Sequence, residues 1–379
     1  MNLLFEKAEK ARLTSQFKTA QRIYQSLLHK SLSPESKAEA LLGLADVERI
    51  QGYFTESLKH YQLASKLLKK IDPAARVDAQ VGWALAARAV GRPLEALKEL
   101  KKSLISYKKD KDPQGEAFVH WALGGTLRFA GDMKTGLKEL QTALRMFRAL
   151  KNEEGVSYTY CALGGIFRML GRYAESGKFY RAANHEMRHR KDSFGIAYSY
   201  CGLGNVERMA GRFKQALPFY KKAEKLYGTI GDRVSYAYTL WSIGTTYKMM
   251  GMYPQARLAF QKADKLFKLT GDTRGRIYTL LGFAEIEYSK DDFRKFLYAY
   301  WRPAEKLSEK YGFAWENLHV KTLLHMSVFQ VFKKVEQAYS PKELKKTKRG
   351  LTKAMRFTET SYLKAGSKFQ PKSIPVNWP

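Results

Sequence analysis

Two sets of residues in this chain could do chemistry: a histidine pair, and a series of basic and aromatic side chains that recurs at a fixed interval. In His185-Glu186-Met187-Arg188-His189 two imidazoles stand one helical turn apart with a carboxylate between them. That spacing can ligate zinc and leave Glu186 as general base, with Glu207 as a conceivable third ligand. The equivalent positions elsewhere in the chain argue against it. Lys66, Ile105, Arg145, Lys225 and Lys265 stand where His185 does, which makes the pair surface residues on a helix end and the expected metal site none.

The recurring series is longer. Arg12, Arg49, Arg88, Arg128, Arg168, Arg208 and Lys248 each precede by three positions a residue that reads as a tight turn: Ser15, Gly52, Gly91, Gly131, Gly171, Gly211 and Gly251. Asp291 continues the turn series with Tyr288 at the basic position. Thirteen before the turn stand Phe118, Tyr158, Tyr198, Tyr238 and Tyr278; ten before stand Trp121, Cys161, Cys201 and Trp241; six before stand Gly125, Gly165, Asn205 and Thr245. On a helix these offsets fall within an arc of about 80°, so they share one face. Arginine supplies bidentate donors for a carboxylate or phosphate, and tyrosine a flat face with a hydroxyl. The candidate binding residues are therefore Arg88, Arg128, Arg168, Arg208, Lys248, Tyr158, Tyr198, Tyr238, Tyr278, Trp121, Trp241 and Asn205. The competing reading is that the arginines serve helix ends or nearby acids and that the tyrosines pack between repeats.

These residues must be carried on helices. The turn glycines from Gly91 to Gly251 are spaced by 40 residues, and the same register reaches back to Ser15 and on to Asp291, which gives eight helix-turn-helix units. Eight positions before each turn lies a large apolar residue (Leu123, Leu163, Leu203), followed at once by a small one (Gly124, Gly164, Gly204). After the turn the fifth position is small (Ser176, Ala216, Ala256), the ninth large and usually aromatic (Tyr180, Tyr220, Phe260), and the twelfth usually alanine (Ala183, Ala223, Ala263). Small residues let helices approach and large ones fill the holes between them. The last unit breaks the pattern, with Phe296 at the small position and Pro303 one residue before Ala304.

The order Leu-Gly, turn Gly, small residue, aromatic, Ala resembles the tetratricopeptide repeat family. The 40-residue period and the linkers Gly231-Asp232 and Gly271-Asp272 are similar to the long-repeat variety of kinesin light chains and bacterial peptide-sensing regulators. The departure is a missing proline at the end of each second helix. The resemblance implies an all-α, right-handed solenoid of about eight helix pairs over residues 1–310. Residues 311–364 read as C-terminal capping helices and 365–379 as an irregular tail. It also implies that the face carrying the two ladders lines the concave groove where extended ligands bind. The ladders stop at Tyr288, so a ligand is expected over the middle units.

Composition narrows the function. Lys plus Arg exceed Asp plus Glu by 67 − 36 = 31, an excess that favours acidic partners. The basic run Lys342, Lys345, Lys346, Lys348, Arg349, Lys353 and Arg356 reads as the solvated face of a capping helix, or as a contact for nucleic acid or anionic lipid. Cys161 and Cys201 occupy equivalent places in neighbouring units, too far apart for a disulfide. Gly124-Gly125 and Gly164-Gly165 lack the strand and Gly-Lys-Thr sequence of a phosphate loop. No signal peptide or spanning stretch is evident, so the expected location is the cytoplasm. No catalytic constellation or cofactor is implied. The leading expectation is a non-enzymatic scaffold or adaptor that binds an acidic extended peptide or partner protein in its concave groove. A nucleic-acid-binding solenoid is the second expectation, and a zinc-dependent hydrolase through His185, Glu186 and His189 the third.

Overall fold

The structure, a computed structural model, describes residues 2–336, 341–371 and 373–379, with side chains described outside 334–347. Eight successive helix pairs form its body. They are α1 (Asn2–Leu13) with α2 (Phe17–Leu28), α3 (Pro34–Gln51) with α4 (Phe54–Ile71), α5 (Pro73–Ala89) with α6 (Pro93–Lys109), and α7 (Pro113–Ala130) with α8 (Met133–Ala149). There follow α9 (Glu153–Met169) with α10 (Tyr173–His189), α11 (Ser193–Met209) with α12 (Phe213–Ile230), and α13 (Arg233–Met249) with α14 (Tyr253–Thr270). The eighth pair is α15 (Thr273–Tyr288) with a broken second helix: α16 (Phe293–Lys295), a π-helical stretch Phe296–Trp301, and α17 (Arg302–Lys310). Two long helices, α18 (Ala314–Glu336) and α19 (Pro341–Lys364), complete an all-helical, right-handed solenoid with a helical C-terminal extension. Of the C-terminal basic run, Lys342, Lys345 and Lys346 have side chains outside the described set, while Lys353 and Arg356 are exposed.

Local chemistry fixes each pair. The side chains of Asp72, Asp112, Asn152, Asp192, Asp232 and Asp272 accept from backbone amides at the starts of α5, α7, α9, α11, α13 and α15, satisfying donors a helix leaves unpaired. At the tight turn, Gly131 takes φ 87° and donates its amide to the Arg128 carbonyl, while the Asp132 amide reaches Leu127. Glycine takes this left-handed C-cap without strain, hence its recurrence, while Ser15 and Asp291 hold the first and last turns at φ 59° and 57°. Each ladder arginine therefore lies in the last turn of its helix, where a cation also suits the helix dipole. Between helices, the rings of Tyr180 and Tyr220 lie over Gly164, Gly202 and Gly204.

The π-helical stretch explains the irregularity of the eighth unit. A π turn absorbs one extra residue. Its effect is to shift the register by one, so that Trp301 and Ala304 are buried one position later than Phe260 and Ala263 of the preceding unit. Pro303, which displaces the alanine in the sequence, then sits harmlessly in the first turn of α17.

Successive first helices touch one another, α7 with α9, α9 with α11 and α13 with α15, whereas no contact of similar extent joins successive second helices. The first helices are thus the inner layer. The solenoid winds tightly enough for its coils to meet. Phe17 packs on Phe194, Gly52 lies against Val234 and Thr270, Arg233 stacks over Tyr53, Gly91 meets Tyr311, and Gly131 meets Ala314. The Gly171 turn abuts Lys368 and Phe369 of the tail.

Candidate functional site

The inner ladder divides into three zones according to what neutralises its charge. In the first two units the basic residue has an acid three positions earlier: Arg12 pairs with Glu9 at 2.5 Å and Arg49 with Asp46 at 3.3 Å. The tyrosine of the following helix joins each pair, Tyr24 on Glu9 and Tyr61 on Asp46. These two cations are locally satisfied.

The second zone is Arg88, Arg128 and Arg168, all partly buried. No ion pair joins them to a carboxylate among the described residues. The acid position of the earlier units is Leu85, Gly125 and Gly165 here. The glycines leave room that the preceding arginine enters. A Cβ at Gly125 would stand 2.7 Å from Arg88 Nη1, and one at Gly165 2.8 Å from Arg128 Nη1. Arg88 donates weakly to Thr126 Oγ1 at 3.4 Å, Arg88 and Arg128 flank the Phe129 ring, and Arg168 Nε is buried without a partner. Burial, then the nearby guanidinium groups of Arg128 and Arg49, pulls the Arg88 pKa below the usual arginine value. This zone is an excess of positive charge, partly withdrawn from water.

The third zone is Arg208 and Lys248, both fully buried. What covers them is the chain's own tail. Arg208 Nη1 donates to the Asn377 side-chain oxygen and, at 2.8 Å, to the Trp378 carbonyl, while Asn377 Nδ2 returns a bond of 2.8 Å to the Arg208 carbonyl. Lys248 Nζ donates to the Val376 carbonyl at 2.9 Å and to Glu285 at 2.7 Å. Glu285, also buried, accepts from the Val376 amide at 2.5 Å and from the Trp378 indole at 2.6 Å. Burial lowers the pKa of Lys248, and Glu285 opposes that shift. Neither Glu285 nor the tail stood among the sequence candidates. Glu285 could have been found by register, because it occupies the position six before the turn that holds Glu9 and Asp46.

The remaining candidates are largely committed to the scaffold. The Tyr158 hydroxyl donates to the Asp192 N-cap at 2.8 Å and that of Tyr238 approaches the Asp272 N-cap at 3.3 Å, each stitching one repeat to the next. Tyr278 donates to Glu316 of α18 at 2.8 Å, and Tyr198 is partly buried without a comparable bond. The Trp241 ring lies beneath Arg208 and its indole donates to the Tyr278 carbonyl at 3.2 Å. Trp121 stacks on Phe118. Asn205 is a buried hub whose Oδ1 accepts from Tyr220, Ser242 and Arg208.

The histidine pair gathers nothing. His185 is exposed with only Glu186 near it, His189 is exposed, and Glu207 is taken by Arg212. No cluster of three or more His, Cys, Asp or Glu able to hold a metal occurs among the described residues. Cys161 and Cys201 are free thiols in the interior. No helix among the described residues is long and apolar enough to cross a membrane.

This architecture is that of a tetratricopeptide-like helical solenoid. Residues 195–268 match the tetratricopeptide repeat model, and the recurrences on either side carry the same pattern outward. No curated protein matches the chain in sequence. Among solved structures it is similar to a Rap protein complexed with Competence and Sporulation Factor, with a TM-score of 0.63 and 14% identity, covering 82% of this chain and 98% of that one. It is also similar to the Rap conjugation gene regulator of plasmid pLS20 in complex with the Phr* peptide (TM-score 0.62, 12% identity, 81% and 94% covered). A third likeness is to the apo form of the quorum sensor NprR from B. thuringiensis (TM-score 0.55, 17% identity, 93% and 98% covered).

Proposed function

We propose that the protein is a non-catalytic interaction scaffold that binds an extended, acidic segment of a peptide or partner protein along the inner face of its coil. The observation that carries this reading is the middle zone, where Arg88, Arg128 and Arg168 line successive inner helices with no carboxylate among the described residues paired to them. A partly buried cation without a counter-charge loses hydration, and an incoming carboxylate offsets that loss through charge-assisted hydrogen bonds. Two of the similar structures are complexes, with Competence and Sporulation Factor and with the Phr* peptide, which agrees with a peptide as the ligand class.

The test is a binding screen of the full chain against labelled extended peptides with and without Asp and Glu, repeated with Arg88→Ala/Arg128→Ala/Arg168→Ala. Hydrogen bonds to charged groups contribute about 1.5–3 kcal/mol each, so the triple variant is expected to lose at least about a hundredfold in affinity for acidic peptides. Undiminished affinity in a folded triple variant rules the reading out. Binding of single-stranded nucleic acid with a steep salt dependence, in preference to any peptide, would instead favour a phosphate ligand for the same arginines.

A further inference from the structure

The third zone shows a different recognition chemistry from the second. Its cations do not meet acids of the tail. Residues 365–379 contain no Asp or Glu and carry Lys368 and Lys372. Arg208 and Lys248 instead take main-chain carbonyls of residues 378 and 376. Glu285 takes the main-chain amide of residue 376 and the indole of residue 378. Main-chain donors and acceptors over a short stretch are thus read by three side chains from three consecutive inner helices, α11, α13 and α15. Two tail side chains add selectivity. Asn377 exchanges hydrogen bonds with the side chain and carbonyl of Arg208, and the Trp378 ring packs against His319 of α18 at 4.6 Å. Upstream, the tail is tied at Ser367 to the Met169 carbonyl and at the Lys368 amide to Leu170, with Lys368, Gln370 and Ser373 exposed on the way.

We infer that Val376-Asn377-Trp378 is a tethered ligand: the chain's own segment fills a main-chain-reading subsite formed by Arg208, Lys248 and Glu285, and an incoming peptide bearing an apolar-Asn-Trp stretch displaces it. The inference rests on the groove reading above and adds to it the ligand chemistry of the C-terminal half. The ligand there is neutral, extended and anchored by an indole N–H that Glu285 accepts. A tether of this kind presents its segment at an effective concentration on the order of 1 mM. A free peptide of the same sequence and an intrinsic Kd of about 10 μM therefore meets roughly a hundredfold competition in the intact chain.

The experiment uses a fluorescein-labelled synthetic peptide Ser-Ile-Pro-Val-Asn-Trp-Pro, the sequence of 373–379, with binding read by anisotropy on the full chain. The proteins are the unaltered chain, Asn377→Ala/Trp378→Ala, and the same double variant carrying Arg208→Ala. The double variant is expected to bind at least about tenfold tighter than the unaltered chain, and Arg208→Ala to remove that gain. Equal binding by the unaltered chain and the double variant, lost on Arg208→Ala, overturns the tethered ligand and leaves the groove reading standing. Binding indifferent to Arg208→Ala overturns the tethered ligand, and the arginine triple variant judges the groove. No binding to either protein overturns the tethered ligand, and the arginine triple variant then judges the groove by itself. If the double variant does not fold, hydrogen exchange on the unaltered chain decides. Faster exchange at the Val376 amide on adding excess unlabelled peptide supports displacement, and unchanged exchange overturns it.

Discussion

The single carboxylate of Glu285 holds together α13, α15 and the tail. Its side chain is inaccessible to solvent, as is that of Lys248, 2.7 Å away. It also accepts the Val376 amide and the Trp378 indole. In Glu285→Ala the ammonium is left buried against a single carbonyl, and two further donors lose their acceptor. Removing one partner of a buried ion pair costs about 3–5 kcal/mol, and the orphaned neutral donors keep the expected value in the upper half of that range. Glu285→Leu/Lys248→Met removes both charges and fills the space, so it should recover at least about 2 kcal/mol relative to Glu285→Ala.

Urea unfolding of the wild type and these two variants gives these differences, and pH adds an independent check. Burial, and after it the Arg208 charge, depresses the Lys248 pKa, and Glu285 is what opposes it. In Glu285→Ala the folded lysine should therefore titrate well below the unfolded one. The unfolded state then binds the extra proton, so the stability of the variant rises with pH until the unfolded lysine itself deprotonates near about 10.4. A loss under about 1 kcal/mol in Glu285→Ala, with no gain between about pH 7 and 9, would refute the claim that this carboxylate neutralises a buried cation.

Two further outcomes follow from the interior. His319 is buried among aromatic rings with the Tyr362 hydroxyl 2.9 Å from its Nδ1, and burial followed by the Arg274 charge lowers its pKa to about 3. Its folded pKa lies below the unfolded value of about 6.5, so it contributes stability above that pH that is lost as pH falls toward about 3, with a slope of up to about 1.4 kcal/mol per pH unit. Asp232 and Asp272, raised to about 6 by burial, act in the opposite sense between about pH 4 and 6. The difference between the wild type and His319→Gln in acid unfolding isolates the histidine, and parallel curves would contradict this account. Gly165→Asp places a carboxylate three residues before Arg168, as Glu9 stands to Arg12 and Asp46 to Arg49. It should leave the thermal midpoint within a few degrees of the wild type and lower affinity for acidic peptides at least about tenfold by neutralising Arg168 and Arg128, whose Nη1 lies 2.8 Å from that Cβ position, from within; unchanged affinity would exclude these two arginines from the site.

What could be read in the sequence was what repeats. Leucine-glycine pairs, turn glycines and the aromatic nine residues later recur because each unit solves the same packing problem, so the helix pairs and the shared face of the ladders were legible. Even the π-helical stretch left a trace, in the one-residue slip that puts Pro303 before Ala304. Features that occur once carried no such signal. The docking of Val376-Asn377-Trp378 depends on α18 and on coils that touch at Gly52, Gly91 and Gly131, and no periodicity points to contacts between residues 170 positions apart. Nor does periodicity separate a tyrosine that faces a ligand from one that holds the next repeat's N-cap, as Tyr158 holds Asp192, because both uses demand the same residue on the same face.

The division of the ladder into zones changes what the basic residues mean. Seven equivalent positions suggest seven equivalent contacts, but charge compensation differs along the array. Arg12 and Arg49 are answered by acids on their own helices, Arg208 by main-chain and amide groups of the tail, and Lys248 by Glu285 together with the tail. Among the described residues, Arg88, Arg128 and Arg168 have neither a carboxylate nor a tail group against them, and the acid position of their units is held by leucine or glycine. A ligand matched to the whole inner face must therefore be asymmetric. It needs acidic side chains toward Arg88 and a neutral, indole-bearing stretch toward Glu285, and that asymmetry would fix the direction in which the segment lies.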